Sequence, residues 1–127
     1  MGSEMCIRDS SYAAEVHSGF PHLRNQLSMD LLHSAPVRHL TAGTQSDIKR
    51  VLKMWKDALQ VSEGPFLFGE FCIADAFFAP VVFRFLSYKI QIKDKMIKQY
   101  MKNIQEHHGV QFWVEEALKE KQIPLVF

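Results

Sequence analysis

Residues 66–88 constrain this chain most. They carry Ile73, Ala74, Ala76, Phe77, Phe78, Val81, Val82, Phe83 and Phe85 in near-continuous succession. A segment apolar on nearly all sides belongs at the centre of a helical bundle, not on its surface. A helix is expected from near Cys72 through Phe85. Pro80 lies inside it, removes one backbone hydrogen bond and predicts a kink near Ala76. Glu70, Asp75 and Arg84 interrupt the run, which makes it a costly bilayer crossing.

The flanking segments supply amphipathic partners. Ile48, Val51, Leu52, Trp55 and Leu59 recur at helical spacing within residues 44–61, and Lys49, Arg50, Lys53, Lys56 and Asp57 take the other side. Thr44 and Asp47 resemble a capping box, with Asp in place of the usual Glu or Gln. The run Ser62-Glu63-Gly64-Pro65 ends this helix. Ile97, Tyr100, Met101 and Ile104 repeat the pattern over 94–107. Gly109 is expected to break the chain before a last short helix over 110–119, around Trp113 and Ala117. Residues 11–32 read as a helix interrupted at Pro21. Trp55 and Trp113 are the expected core anchors, His107 and His108 a helix C-terminus, and the lysines of 89–102 a solvated face. No stretch alternates with period two between hairpin turns. The expected architecture is all-α, a bundle of about five helices.

At 127 residues and 47% hydrophobic content the chain can bury one core but not two full domains. A net charge of +1 argues against general nucleic-acid binding, and the charges within 66–88 against a membrane span, so neither nucleic acid nor membrane is an expected partner. Two cysteines, Cys6 and Cys72, build no disulfide framework, and no His or Cys pair has zinc-box spacing. No metal site is expected, and the cytoplasm is the expected compartment.

Residues 1–10, Met-Gly-Ser-Glu-Met-Cys-Ile-Arg-Asp-Ser, show neither periodicity nor a signal-peptide core. One permitted back-translation of Glu4 to Ser10, GAG-ATG-TGT-ATA-AGA-GAC-AGC, looks like a transposase mosaic-end adapter read in frame. Residues 1–10 are therefore set apart as an adapter-derived or disordered segment, and 11–127 are expected to form the helical domain. On that reading the natural protein continues upstream of Ser11.

Two segments carry a family resemblance. Gly64-Pro-Phe-Leu-Phe-Gly-Glu-Phe-Cys72-Ile-Ala-Asp75-Ala is similar to the folding signature of the C-terminal domain of glutathione transferases. There a loop ending in Gly-Asp or Gly-Glu leads into Ser/Thr-x-Ala-Asp at the start of the buried central helix. The physical content is a capping box, in which the N-cap side chain and the N3 acid each bind the other's backbone N–H. Asp75 keeps its place, whereas Cys72 stands where the family has Ser or Thr. A thiol is a weak acceptor, so half of the box is impaired and the helix less firmly nucleated. Second, Ser11-Tyr-Ala-Ala-Glu-Val-His17-Ser-Gly-Phe20 resembles the first helix of the same domain in the bacterial beta class, Tyr-x-x-x-Glu-Leu-His-Lys-x-Phe. In that class the histidine points into the cleft beside the glutathione sulfur, and His17 matches it. The following Lys of the class is Ser18. The run Phe20-Pro-His-Leu-Arg24 resembles other bacterial members.

The resemblance implies a C-terminal fragment that supplies the electrophile-binding wall of a glutathione transferase. The thioredoxin-like domain that binds most of the glutathione co-substrate has no counterpart in this chain, so the fragment alone is expected to be inactive. Glutathione and a hydrophobic electrophile are the implied ligands and a homodimer the implied full-length assembly. His17 is the implied assisting catalytic residue, and His17, Phe20 and Arg24 the implied substrate contacts. Cys72 and Asp75 form the structural capping box, and Cys72 is expected to be inert. The alternative is a non-catalytic transferase-like interaction module; an unrelated bundle with a convergent core pattern is the third reading.

Overall fold

The computed structural model describes residues 2–121 and consists of six helices: α1 (Gly2–Ser18), α2 (Pro21–Gln26), α3 (Ala42–Ser62), α4 (Ile73–Ser87), α5 (Lys95–Glu106) and α6 (His108–Lys121). Among the described residues there is no strand, and two isolated bridges, Phe66 to Gly69 and Phe68 to Glu70, tighten the loop before α4. The chain is the all-α bundle its patterning predicts. The sixth helix arises because Pro21 opens a separate short helix that ends at Gln26, instead of interrupting one that runs on to Leu32.

Helix α4 is central, packing against α1 on one side and α5 on the other, while α3 links α2 to α5. It runs without interruption across Pro80. Its Phe78 and Phe85 meet the fully buried Trp55 of α3, which also meets the buried Tyr100 of α5, with ring centroids 5.5, 5.6 and 5.2 Å from the Trp55 ring. Two of these pairs are edge-to-face, an arrangement that adds about 0.5–1.5 kcal/mol each beyond area burial. Trp55 is thus the core anchor expected of it. Trp113 is not: it remains 38% exposed on α6, with its ring 6.0 Å from the partly buried Phe83.

Helix boundaries depart from the sequence reading where side chains cap across the fold. Thr41, not Thr44, is the N-cap of α3, and its hydroxyl oxygen accepts from the Thr44 N–H at 3.2 Å. Thr44 is fully buried and donates its hydroxyl to the His22 carbonyl at 3.1 Å. Asp47, expected to close that box, instead accepts from the Leu23 N–H at 3.0 Å and caps the first turn of α2 from another helix. The break between α5 and α6 falls at His107, whose backbone is extended (φ −65°, ψ 127°), and Gly109 lies inside α6. The His107 ring fixes the break. It stacks on Phe71 at 3.8 Å, and its Nδ1 accepts from the Gly109 N–H at 3.1 Å, so His107 closes α5 as its C-cap, as expected, and also caps the start of α6, which His108 opens. Gly69, at φ +100°, makes the left-handed turn that lets it and Phe66 exchange two backbone hydrogen bonds.

Helix α1 begins at Gly2, ahead of the expected start at Ser11. Within its early turns Arg8 lies over the Tyr12 and Phe68 rings at 5.9 and 5.5 Å, and the Asp9 carboxylate accepts from the Ala74 N–H at 2.8 Å. Position 10 is therefore not a structural boundary in this fold.

Candidate functional site

Both features of interest are built on α4, one at its N-terminus and one along its exposed edge. At the N-terminus, Cys72 is the N-cap and Asp75 the third helical residue. Asp75 is fully buried and accepts four hydrogen bonds: from the Cys72 N–H at 3.0 Å, the Cys72 thiol at 3.3 Å, the Leu67 N–H at 3.2 Å and the Tyr100 hydroxyl at 2.9 Å. One carboxylate thereby holds the 63–72 loop, α4 and α5 together. Burial pushes its pKa above the ordinary carboxylate value, and the bonds from Cys72, Tyr100 and Leu67 oppose that push. Burial and the Asp75 charge hold the Tyr100 phenol well above its usual range.

The thiol of Cys72 is raised far above its ordinary value, first by burial and then by the Asp9 and Asp75 carboxylates. It stays protonated and lacks the electropositive setting of a nucleophilic cysteine. Where the family pattern has a hydroxyl acceptor at this cap, the fold recruits Asp9 from α1 to bind the second N–H of α4. The weak acceptor expected of Cys72 is thus supplemented from a neighbouring helix.

Along its exposed edge α4 presents Ile73, Ala76, Phe77, Pro80 and Arg84, a stripe at helical spacing with Ile73 59% and Phe77 44% exposed. A pocket lies on each side of this stripe, and Pro80 lines both. The aromatic pocket has a volume of about 380 Å³ and is walled by Phe71, Ala76, Ala79, His107, Val110 and Trp113. The basic pocket, about 290 Å³, is formed by Val16 and His17 of α1, Arg24 of α2, and Phe77, Pro80, Val81 and Arg84 of α4.

In the basic pocket His17 is exposed at the last turn of α1, its ring 5.8 Å from that of Phe77. Arg24 is positioned by its own Nη2, which donates to the Val16 carbonyl and, at 2.9 Å, to the His17 carbonyl, capping the end of α1. Arg84 is half-buried, and its buried Nε has no hydrogen-bond partner. Burial lowers its pKa, and the neighbouring Arg24 cation pushes the same way. Two expected substrate contacts, His17 and Arg24, therefore line one pocket. The third, Phe20, does not. It is 6% exposed in the core, with a left-handed backbone (φ 60°) that turns the chain from α1 into α2.

Sequence reasoning missed Phe77 and Arg84 as pocket residues. Their signal was present: positions 77, 80, 81 and 84 share one helix face, and Arg84 is the only cation of α4. Among the described residues no group of three or more His, Cys, Asp and Glu side chains is placed to hold a metal ion. No described helix is long and apolar enough to cross a membrane. No protein-family model matches the chain, and no curated protein matches it.

Proposed function

We propose that the chain is the helical C-terminal domain of a bacterial glutathione transferase and supplies the electrophile-binding wall of its cleft. The observation that carries this reading is the two-sided character of α4. Its N-terminus is locked by the Asp75 node and its inner face by the Trp55 cluster, while its outer edge stays open between two pockets. A rigid apolar edge beside concave pockets selects hydrophobic ligands by shape and desolvation. His17, matched by the resemblance to a cleft histidine, stands at the rim of one of them.

In this reading a thioredoxin-like domain encoded upstream holds glutathione, and the full-length cytoplasmic protein is a homodimer. The glutathione thiolate attacks an electrophilic carbon of the second substrate; a C–S bond forms and the leaving group departs with its electron pair. His17 assists by stabilising the thiolate or binding product, and the basic and aromatic pockets accommodate the electrophile.

The test is conjugation of glutathione to aromatic electrophiles by the protein extended upstream of Ser11. Turnover that falls in His17→Ala supports the reading; unchanged kinetics return His17 to an ordinary surface role. Exposure of Ile73, Phe77, Phe112 and Trp113 on neighbouring helices favours a second reading, a transferase-like interaction module. Absence of conjugation with every aromatic electrophile, in an extended protein that folds, selects the module.

A further inference from the structure

We propose that the pocket between α1, α2 and α4 binds the carboxylate of a small aromatic acid, with Arg84 and Arg24 on the anion and Phe77 and Pro80 on the ring. The pocket is one of the two given above to the electrophile, so the inference rests on that reading in naming the ligand class there, while its binding test uses only groups of this chain and can fail separately from the conjugation test.

The charge balance of the pocket comes first. Two guanidinium groups and one imidazole line it, and no carboxylate does. Glu15, the acid nearest to His17 along α1, is committed elsewhere: it accepts from Arg50 of α3 at 2.7 and 2.9 Å in a bidentate pair. Buried cations in proteins are normally paired, and a guanidinium is deprotonated only at extreme cost. Arg84 is nevertheless half-buried beside another cation, with its Nε unpartnered. An incoming anion would bond the guanidinium groups that line the pocket and neutralise the repulsion between the two arginines.

The shape and lining then narrow the anion. A guanidinium presents parallel N–H donors that match the two oxygens of a carboxylate. Arg24 is already fixed in place by the carbonyls of Val16 and His17, so little side-chain entropy remains to be lost on binding. The rest of the wall is Val16, Phe77, Pro80 and Val81, which offers apolar contact, including one aromatic side chain, to the body of the ligand. At about 290 Å³ the cavity lies at the small end of the range for ligand pockets, so it suits a single-ring acid.

Calorimetric titration of the 127-residue chain with benzoate, benzamide and inorganic phosphate tests this directly. Benzoate is expected to bind at one site, about tenfold or more tighter than its neutral isostere benzamide and tighter than phosphate. Arg84→Met should weaken benzoate by about tenfold while the protein still melts cooperatively. If Arg84→Met does not fold, Arg24→Ala, at an exposed position, carries the same comparison. Absence of saturable benzoate binding, equal affinity for benzamide, or wild-type affinity in a folded arginine variant overturns the proposal. Phosphate binding as tightly as benzoate also overturns it, since charge alone would then account for the site.

Discussion

Helix α4 holds two buried or half-buried charges about two and a half turns apart, and the fold treats them in opposite ways. Asp75 has four donors drawn from the loop, its own cap and α5. Arg84 has an orphaned Nε and another cation for a neighbour. A desolvated charge that is fully hydrogen bonded fixes a structure, because removing it strands every donor that depended on it. A desolvated charge left incomplete contributes no such lock, and what it holds in reserve is binding capacity. The contrast separates a structural end of α4 from a ligand-binding end.

The first way to break this contrast is Asp75→Ala. The substitution leaves the Leu67 N–H, the Cys72 N–H and the Tyr100 hydroxyl without their acceptor in the interior. A loss of about 3 kcal/mol is expected by urea or thermal unfolding, against about 1 kcal/mol if the carboxylate were only a helix cap. A loss near the lower figure would show that Asp75 is a cap and nothing more.

Much of this division was legible in the sequence, and the limits were physical. The apolar run of 73–85 identified the central helix, and the periodicities of 48–59 and 97–104 identified the helices that bury it. Asp75 was legible as the N3 acid of a capping box, because that pattern is local. Its bonds to Leu67 and Tyr100 were not, since they depend on how the loop and α5 fold over it. Caps made across the fold produced the misplacements. Asp47 looked like a partner for Thr44 but serves α2, and the stacking of His107 on Phe71 moved a break that Gly109 alone suggested. At the other end, His17 and Arg24 were legible only through the family resemblance. Phe77 and Arg84 were hidden by an apolar background that makes every position of α4 look like core.

A second substitution sharpens the structural end. The Asp9 carboxylate accepts the Ala74 N–H at the start of α4, the job a hydroxyl at position 72 would otherwise share. Asp9→Ala should cost about 1 kcal/mol, as the loss of an N-cap acceptor does elsewhere. The cost should shrink in a Cys72→Ser background, where the restored hydroxyl cap takes over part of the role. A double-mutant cycle in thermal unfolding measures that coupling. Strict additivity of the two changes would mean that Asp9 and the residue at 72 cap independently.

The smallest expected effect belongs to the other end of the helix. Arg84→Met keeps most of the side-chain volume while removing a charge that has no partner for its buried nitrogen. Replacing an unsatisfied buried charge by an apolar group of similar shape is often neutral or stabilising. The stability of this variant should therefore stay within about 0.5 kcal/mol of the parent or rise, even though Arg84 lies on the same central helix as Asp75. A loss of 2 kcal/mol or more, a magnitude typical of breaking a paired buried charge, would mean that Arg84 is a structural lock after all. The two ends of α4 would then differ in degree, and the basic pocket would lose its claim to be a ligand site.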